Sequence, residues 1–271
     1  MNSKDKETAE AFATSWNNLP SGSVYTFEQF EDWFAPVEKT DIEGKNVLEL
    51  GCGNGSLLSH FPRWNPQYIE GVDLGASVVS CENNMRQTGF ENFKITKFDL
   101  TAFESEGFDL VYSIGVLHHL KEPFAGFESV VKNTKSGGKF HCWVYAEEGN
   151  NVVIYLVEPI RKIASKLPWW ITKYLIATPL VIPYYFYAKI ISKSEAFKNF
   201  PLHEYSKWIS KREFSFFRHV AFDQLVTPQT AYISKQTIEK WLDESNEIDK
   251  NSTYIIFRNG NSWKFGGVKN P

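Results

Sequence analysis

VLELGCGNGSLL, residues 47–58, places three glycines directly behind an apolar run that carries one carboxylate. An apolar strand, a glycine turn and a helix start let a ligand come close to backbone N–H groups, because glycine has no Cβ to obstruct it. Gly51 and Gly53 permit the bend, and Gly55 opens the helix that follows. The spacing is GxGxG, with Ser56 where the dinucleotide fingerprint GxGxxG has its third glycine. Many structural turns look like this, so the surroundings must decide its meaning.

Working outward, residues 45–145 alternate short apolar runs with helix-like stretches. Strands are expected at 46–50, 68–72, 93–96, 108–113 and 138–145, and helices at 56–61, 76–88 and 124–133. Ser234 is placed to cap a helix through Trp241 and Leu242, 253–259 reads as a strand, and NGNSW turns into a last one. Strands alternating with helices at this spacing imply βαβ units. The expected class is α/β: a doubly wound, mainly parallel, seven-stranded Rossmann-like sheet, with an aromatic, mostly helical insertion after the fifth strand. Residues 1–149 and 225–271 would form the main domain, 1–40 its leading lid, and 150–224 the insertion.

Composition narrows the function. Of the 271 residues 42% are hydrophobic and 23% charged, a globular mix, and the net charge of −3 offers no field for nucleic acid. Three widely spaced cysteines, Cys52, Cys81 and Cys142, lack any CxxC or Cys/His cluster, so neither a disulfide framework nor a metal site is expected, and a cytoplasmic setting fits. The N-terminal MNSKDKETAEAFATSW has no apolar core of a signal peptide.

Three acids raise the value of the glycine turn. Asp73 closes the second strand in EGVDL, where a carboxylate can accept from both ribose hydroxyls of a nucleoside. Asp99 in KFDL follows the third strand, within reach of an adenine amine. Glu49 lies inside the first strand, a costly place for a charge unless it meets donors or a cation.

That combination resembles the class I S-adenosylmethionine (SAM) methyltransferases, over most of the chain outside the insertion. VLELGCGNG is similar to their first motif, EGVDL to the acidic second and KFDL to the third. FDLVYSIGVLHHL is similar to the fourth-strand motif of the ubiquinone-type, small-molecule branch, and SGGKF to the turn into the fifth strand. The resemblance implies SAM as cofactor and S-adenosylhomocysteine as product. Gly51, Cys52, Gly53 and Gly55 would flank the methionine end, with Glu49 towards its ammonium. Asp73 with Leu74 would hold the ribose, Asp99 with Leu100 the adenine, and Ser113, Ile114 and Gly115 would line the pocket beneath the sulfonium.

The SAM methyl is already activated, so the protein has chiefly to align an acceptor and, where the acceptor carries a proton, to supply a base. His118 and His119 stand at the right end of the sheet, His118 nearer to Gly115; the other reading of this pair is a loop brace. His141, inside the fifth strand, is expected in the core. There is no Asn/Asp-Pro-Pro-aromatic run, paired-glutamate loop or metal cluster, which points to a small, lipophilic or aromatic acceptor methylated on oxygen, nitrogen or carbon. Rivals are a nicotinamide oxidoreductase, disfavoured by GxGxG and Glu49, and a non-catalytic methyltransferase-like module.

The insertion differs sharply from its surroundings. Residues 150–220 hold eleven Lys/Arg against four Asp/Glu and 15 of the 43 aromatics. KLPWWITKYLIATPLVIPYYFYAKII, 166–191, reads as a lid over the acceptor pocket, as a membrane-facing surface through 160–193, or as a homodimer contact. Pro179 and Pro183 should interrupt it, so no true membrane span is expected. Arg218, His219, Asp223 and Gln224 cluster among apolar residues as candidate acceptor contacts, and Tyr25, Phe27 and Trp33 come from a leading aromatic segment, 16–34, that would close over the cofactor.

Overall fold

The computed structural model describes residues 3–17 and 25–271, with side chains at 15–17 excepted. Residues 18–24 of the leading aromatic segment lie outside the described residues. Seven strands form one sheet: β1 (Asn46–Leu50), β2 (Tyr68–Asp73), β3 (Phe93–Lys97), β4 (Phe108–Ile114), β5 (Thr134–Tyr145), β6 (Tyr254–Arg258) and β7 (Ser262–Val268). Their order is β3-β2-β1-β4-β5-β7-β6. The first five pair in parallel, and β7 runs antiparallel between β5 and β6.

Period-two alternation builds a core on each face. Leu48, Val72 and Val111 join Phe127, Phe140 and Trp241 on one side, while Val47, Ile69, Leu110 and Tyr112 join Phe34 and Phe61 on the other. The helices that cover these faces are α1 (Ser3–Asn17), α2 (Phe27–Phe34), α3 (Val78–Gln87) and α4 (Pro123–Asn133). The insertion then supplies α5 (Glu158–Ala164), α6 (Thr178–Ile191), α7 (His203–Ile209) and α8 (Phe214–Val226), before α9 (Lys235–Glu244) returns to the sheet. Ser234 Oγ accepts from the Thr237 N–H at 3.2 Å, the cap that the sequence announces for α9.

Strand order reverses between β1 and β4, and in open α/β sheets ligands sit beyond the carboxyl ends of the strands at such a switch point.

Three local expectations need correction. The helix expected at 56–61 is a 3-10 segment, Leu58–Trp64, which contains Pro62 and stops at Asn65 in left-handed backbone. Strand β5 starts at Thr134, which pairs with Phe108 before the register shifts and Lys139 pairs with Leu110. The insertion is not interrupted at its prolines. A π-helical turn, Ile171–Ala177, runs straight into α6, and the helix continues through Pro179 at the junction and Pro183 inside α6, each of which forgoes one backbone hydrogen bond to the preceding turn. The resulting helix, Ile171–Ile191, has 21 residues and a mean hydropathy of 1.3, long and apolar enough to cross a bilayer by length and composition. One stripe of it is buried at Thr172, Ala177, Val181, Ala188 and Ile191. Val181 and Ala188 pack with Ile209 and Phe217, and Ala177 with Phe222 and Leu225.

Candidate cofactor and acceptor cavity

The glycine turn is tied to its neighbours by its own backbone. The Gly51 and Cys52 N–H groups donate to the Val72 carbonyl at 2.7 and 3.0 Å, which folds the turn back over the end of β2. Gly51 has φ +91, and a Cβ there would meet Val116 Cγ2 at 2.4 Å, so both the backbone and the space demand glycine. Asp73, last residue of β2, accepts from Gly53 N–H at 2.9 Å and Gly75 N–H at 2.7 Å, one on each oxygen. Burial pushes its carboxyl up, and those two N–H groups oppose the shift. The Ser77 side chain also hydrogen-bonds the carboxylate and opposes the shift, which leaves acceptor capacity for one further donor.

Glu49 is buried in β1 and accepts a 2.8 Å hydrogen bond from the Tyr112 hydroxyl on neighbouring β4. Burial drives its carboxyl up to about 8, the tyrosine opposes this, and the charge of Asp73 adds to it. Asp99 caps the short turn Leu100–Ala102, its Oδ1 accepting from Thr101 N–H and Oγ1 at 3.0 and 2.7 Å.

One cavity of about 560 Å³ runs from this corner to the inserted helices. Of the twelve expected cofactor residues, Glu49, Gly51, Cys52, Gly53, Asp73, Leu74, Asp99, Leu100, Ile114 and Gly115 line it. Gly55 and Ser113 do not. Gly55 faces Cys81, whose Sγ lies 2.7 Å from where a Cβ would be, so its role is packing. Ser113 sits on the alternate face of β4 from Ile114 and donates to the Leu50 carbonyl at 2.8 Å.

At the far end Tyr25, His219, Asp223 and Gln224 also line the cavity. His219 Nε2 stands 3.2 Å from Asp223 Oδ2, one turn apart on α8. Gln224 hydrogen-bonds the hydroxyl of Tyr145, a residue of β5. Burial, and then the nearby Asp223, Tyr145 and Glu49, hold the Tyr25 phenol well above its ordinary range. Arg218 is a correction: its guanidinium lies over the Tyr174 ring, 5.6 Å from the centroid, and takes no part in the lining.

The two histidines separate. They share a 3-10 turn, Leu117–His119, in which successive side chains diverge by about 120°. His119 lines the cavity, while His118, preferred from sequence, is fully buried behind it with neither ring nitrogen hydrogen-bonded. His119 Nδ1 lies 2.9 Å from the Gln229 carbonyl, an acceptor only, so the proton sits on Nδ1 and Nε2 carries the lone pair. Burial lowers His119 to about 4 against the pull of that carbonyl, with Arg161 adding to the fall. Burial, His119 and Arg161 push His118 well below the usual histidine range. Both rings are therefore neutral at pH 7. His141 is in the core, held by Trp33 O at 2.9 Å and Tyr254 Oη at 2.6 Å.

Sequence reasoning placed 1–40 as a leading lid but named no residue of α1, whose Asp5, Thr8, Ala9 and Phe12 line the cavity. A polar helix with a thin Ala9/Phe12/Ala13 stripe gives little signal of that. Tyr145 and Tyr232 were missed as well, since an aromatic in or beside a strand reads as core.

Comparison with known proteins matches residues 48–140 to a family described as a methyltransferase domain. An uncharacterised protein of Synechococcus sp. is 23% identical over 225 residues, covering 80% of this chain and 49% of that protein. A ubiquinone biosynthesis O-methyltransferase of Pseudomonas syringae pv. tomato is 30% identical over 105 residues, 38% of this chain and 45% of its own. The chain thus spans about half the length of these curated relatives or less. Among solved structures, the magnesium protoporphyrin IX methyltransferase of Synechocystis, crystallised with bound SAM, superposes with a TM-score of 0.54 at 12% identity, covering 98% of this chain and 95% of that one. That likeness is one of fold.

Proposed function

We propose that this chain, which carries the class I SAM-dependent methyltransferase fold, transfers the methyl group of SAM to a small, lipophilic or aromatic acceptor held between the sheet and the inserted helices. The observation that carries the reading is a cavity with four carboxyl side chains at one end, Asp5, Glu49, Asp73 and Asp99, the last three at the strand ends, and a mixed aromatic and polar wall at the other. The acids fit the cofactor by chemistry: a dry carboxyl for an ammonium, a strand-end carboxylate for ribose hydroxyls, and a turn carboxylate for an adenine amine. Leu74, Leu100 and Val116 supply apolar surface around the base.

When bound, SAM supplies a methyl group already activated by the positive sulfur. The chain's own work is to orient the acceptor and keep water out, tasks suited to the aromatic wall of Tyr25, Trp143, Tyr145 and Phe216. An acceptor hydroxyl would give its proton to an imidazole: neutral His119 at Nε2, or His219, which stands 3.2 Å from Asp223. With a pKa near 4, His119 is a weak base, so it serves acceptors with acidic protons, such as phenols.

Calorimetry with SAM, S-adenosylhomocysteine and NAD tests the reading. We expect one SAM and one S-adenosylhomocysteine site per chain and no NAD binding. Absence of both adenosyl ligands would leave the non-catalytic alternative; NAD binding would favour oxidoreduction. His119→Ala and His219→Ala, assayed on a phenolic acceptor, separate the two bases by which one loses kcat without losing SAM affinity.

A further inference from the structure

We infer that the exposed apolar face of the inserted helices docks on an anionic lipid bilayer and that the acceptor enters the cavity from that bilayer; the second half rests on the function proposed above. The helix Ile171–Ile191 is apolar on both sides, but protein covers only one. Trp170, at its N-terminal edge, is 50% exposed, and Leu175, Phe186 and Ile190 on the helix itself are 63, 61 and 58% exposed. The preceding helical segment adds Tyr155 at 74% and Ile163 at 67%. An apolar surface of this extent on folded helices is the signature of an interaction site.

Charge identifies the partner. Residues 160–193 contain six Lys/Arg and no Asp/Glu. Lys162, Lys166 and Lys193 are exposed, and no carboxylate pairs with them among the described residues. A second copy of this chain would bring the same cations against themselves across a two-fold axis, which disfavours self-association. Anionic headgroups above an apolar layer match both features, with tryptophan and tyrosine at the boundary and lysines reaching outward. The buried stripe of Thr172, Ala177, Val181, Ala188 and Ile191 would lose its packing if the helix crossed the bilayer, so the helix lies in the interface.

The cavity opens on this face. Leu156 and Leu180 line the cavity and are also 64 and 41% exposed, so apolar side chains of this face reach both the interior and the surface. A lipophilic acceptor leaving a membrane could follow those side chains without crossing water.

Flotation of the full chain with vesicles of phosphatidylcholine, with and without phosphatidylglycerol, tests the proposal. Association only with the anionic vesicles and release by high salt are expected. Lys162→Glu with Lys166→Glu, and separately Trp170→Ser with Phe186→Ser, should each cut the bound fraction at least ~tenfold, while melting temperature and SAM affinity stay unchanged. Lack of flotation, binding that survives an alkaline carbonate wash, or a dimer split by these substitutions in a chain without vesicle affinity would each overturn docking. Because vesicle binding needs no cofactor, a chain that floats but does not bind SAM would keep the docking surface and refute the acceptor route alone.

Discussion

At Glu49 burial and the charge of Asp73 both favour the protonated form, only the Tyr112 hydrogen bond opposes them, and the balance is measurable. The folded carboxyl sits at about 8 against an ordinary 4.5, so the ligand-free fold holds this proton more tightly than the unfolded chain does. Its contribution to stability is full below pH 4.5 and is lost as the pH climbs through about 8. A cation placed beside it favours the ionised form instead. SAM binding at pH 7 should therefore release close to one proton, seen as a calorimetric enthalpy that varies with the buffer's heat of ionisation. Affinity should rise about tenfold per unit from pH 6 to 7. Glu49→Gln should bind weakly, with no proton release and no pH dependence in that range, and its ligand-free form should lack the decline in stability that the parent shows between pH 4.5 and about 8. A buffer-independent enthalpy in the parent chain would remove Glu49 from the ammonium site. A glutamate flanked by leucines in a buried strand made this residue legible as unusual. Its partner Tyr112 was not, because pairing across strands is a matter of register that one sequence does not display.

At the scale of elements, the first βα corner is fixed by a contact between two turns. Gly51 can bend only because Val116, in the turn after β4, fills the space where a side chain would go. Gly51→Ala should cost about 2 kcal/mol or more, combining left-handed strain with the clash, and should lower SAM affinity by displacing the turn. Val116→Ala in that background should restore part of the stability by removing the two closest methyls, leaving the strain and a 2.9 Å approach to the Val116 Cβ; chemical denaturation of the four variants gives the coupling directly. A simple sum of the two single effects would mean that the two turns do not support each other. The strands were readable here because period-two burial on β1 and β4 leaves Val47 and Leu48, or Val111 and Tyr112, on opposite cores. The helical pieces were less so. Leu58–Trp64 has the apolar content of a helix but a proline inside it, and Ile171–Ile191 stays helical through Pro179 and Pro183 because one face of it packs on the neighbouring helices. Likewise LHHL named two candidate bases, and only the 3-10 turn assigned one to the cavity and one to the core behind it.

At the scale of the whole molecule, the cofactor corner and the insertion are joined by a part of the chain that looked unremarkable in sequence. Helix α1 lines the cofactor end with Asp5, Thr8 and Ala9, and through Ala11 it packs on the cluster of Phe222, Leu225 and Ala164 in the insertion. Asp5 also accepts from the Lys121 N–H at 2.8 Å, beside the histidine turn. A ligand that orders α1 against the glycine corner must therefore order it against α8 too, since the same short helix presents both surfaces. Binding of S-adenosylhomocysteine, which would touch the sheet corner and α1, should slow amide exchange at 3–17 and also in α5 and α8, remote from the ligand. The total gain is set by mass action, about 2.7 kcal/mol at a hundredfold excess over Kd, and for a chain of this size that should raise the melting temperature by roughly 5 °C. Replacing Ala11 by Asp would put a charge into the α1–α8 contact. In that variant the protection of α5 and α8 should no longer follow ligand binding, while protection at 49–55 and 73–77 persists. If exchange in the parent chain slows only at those sheet-end turns, α1 is a passive cover and the two parts of the cavity bind independently.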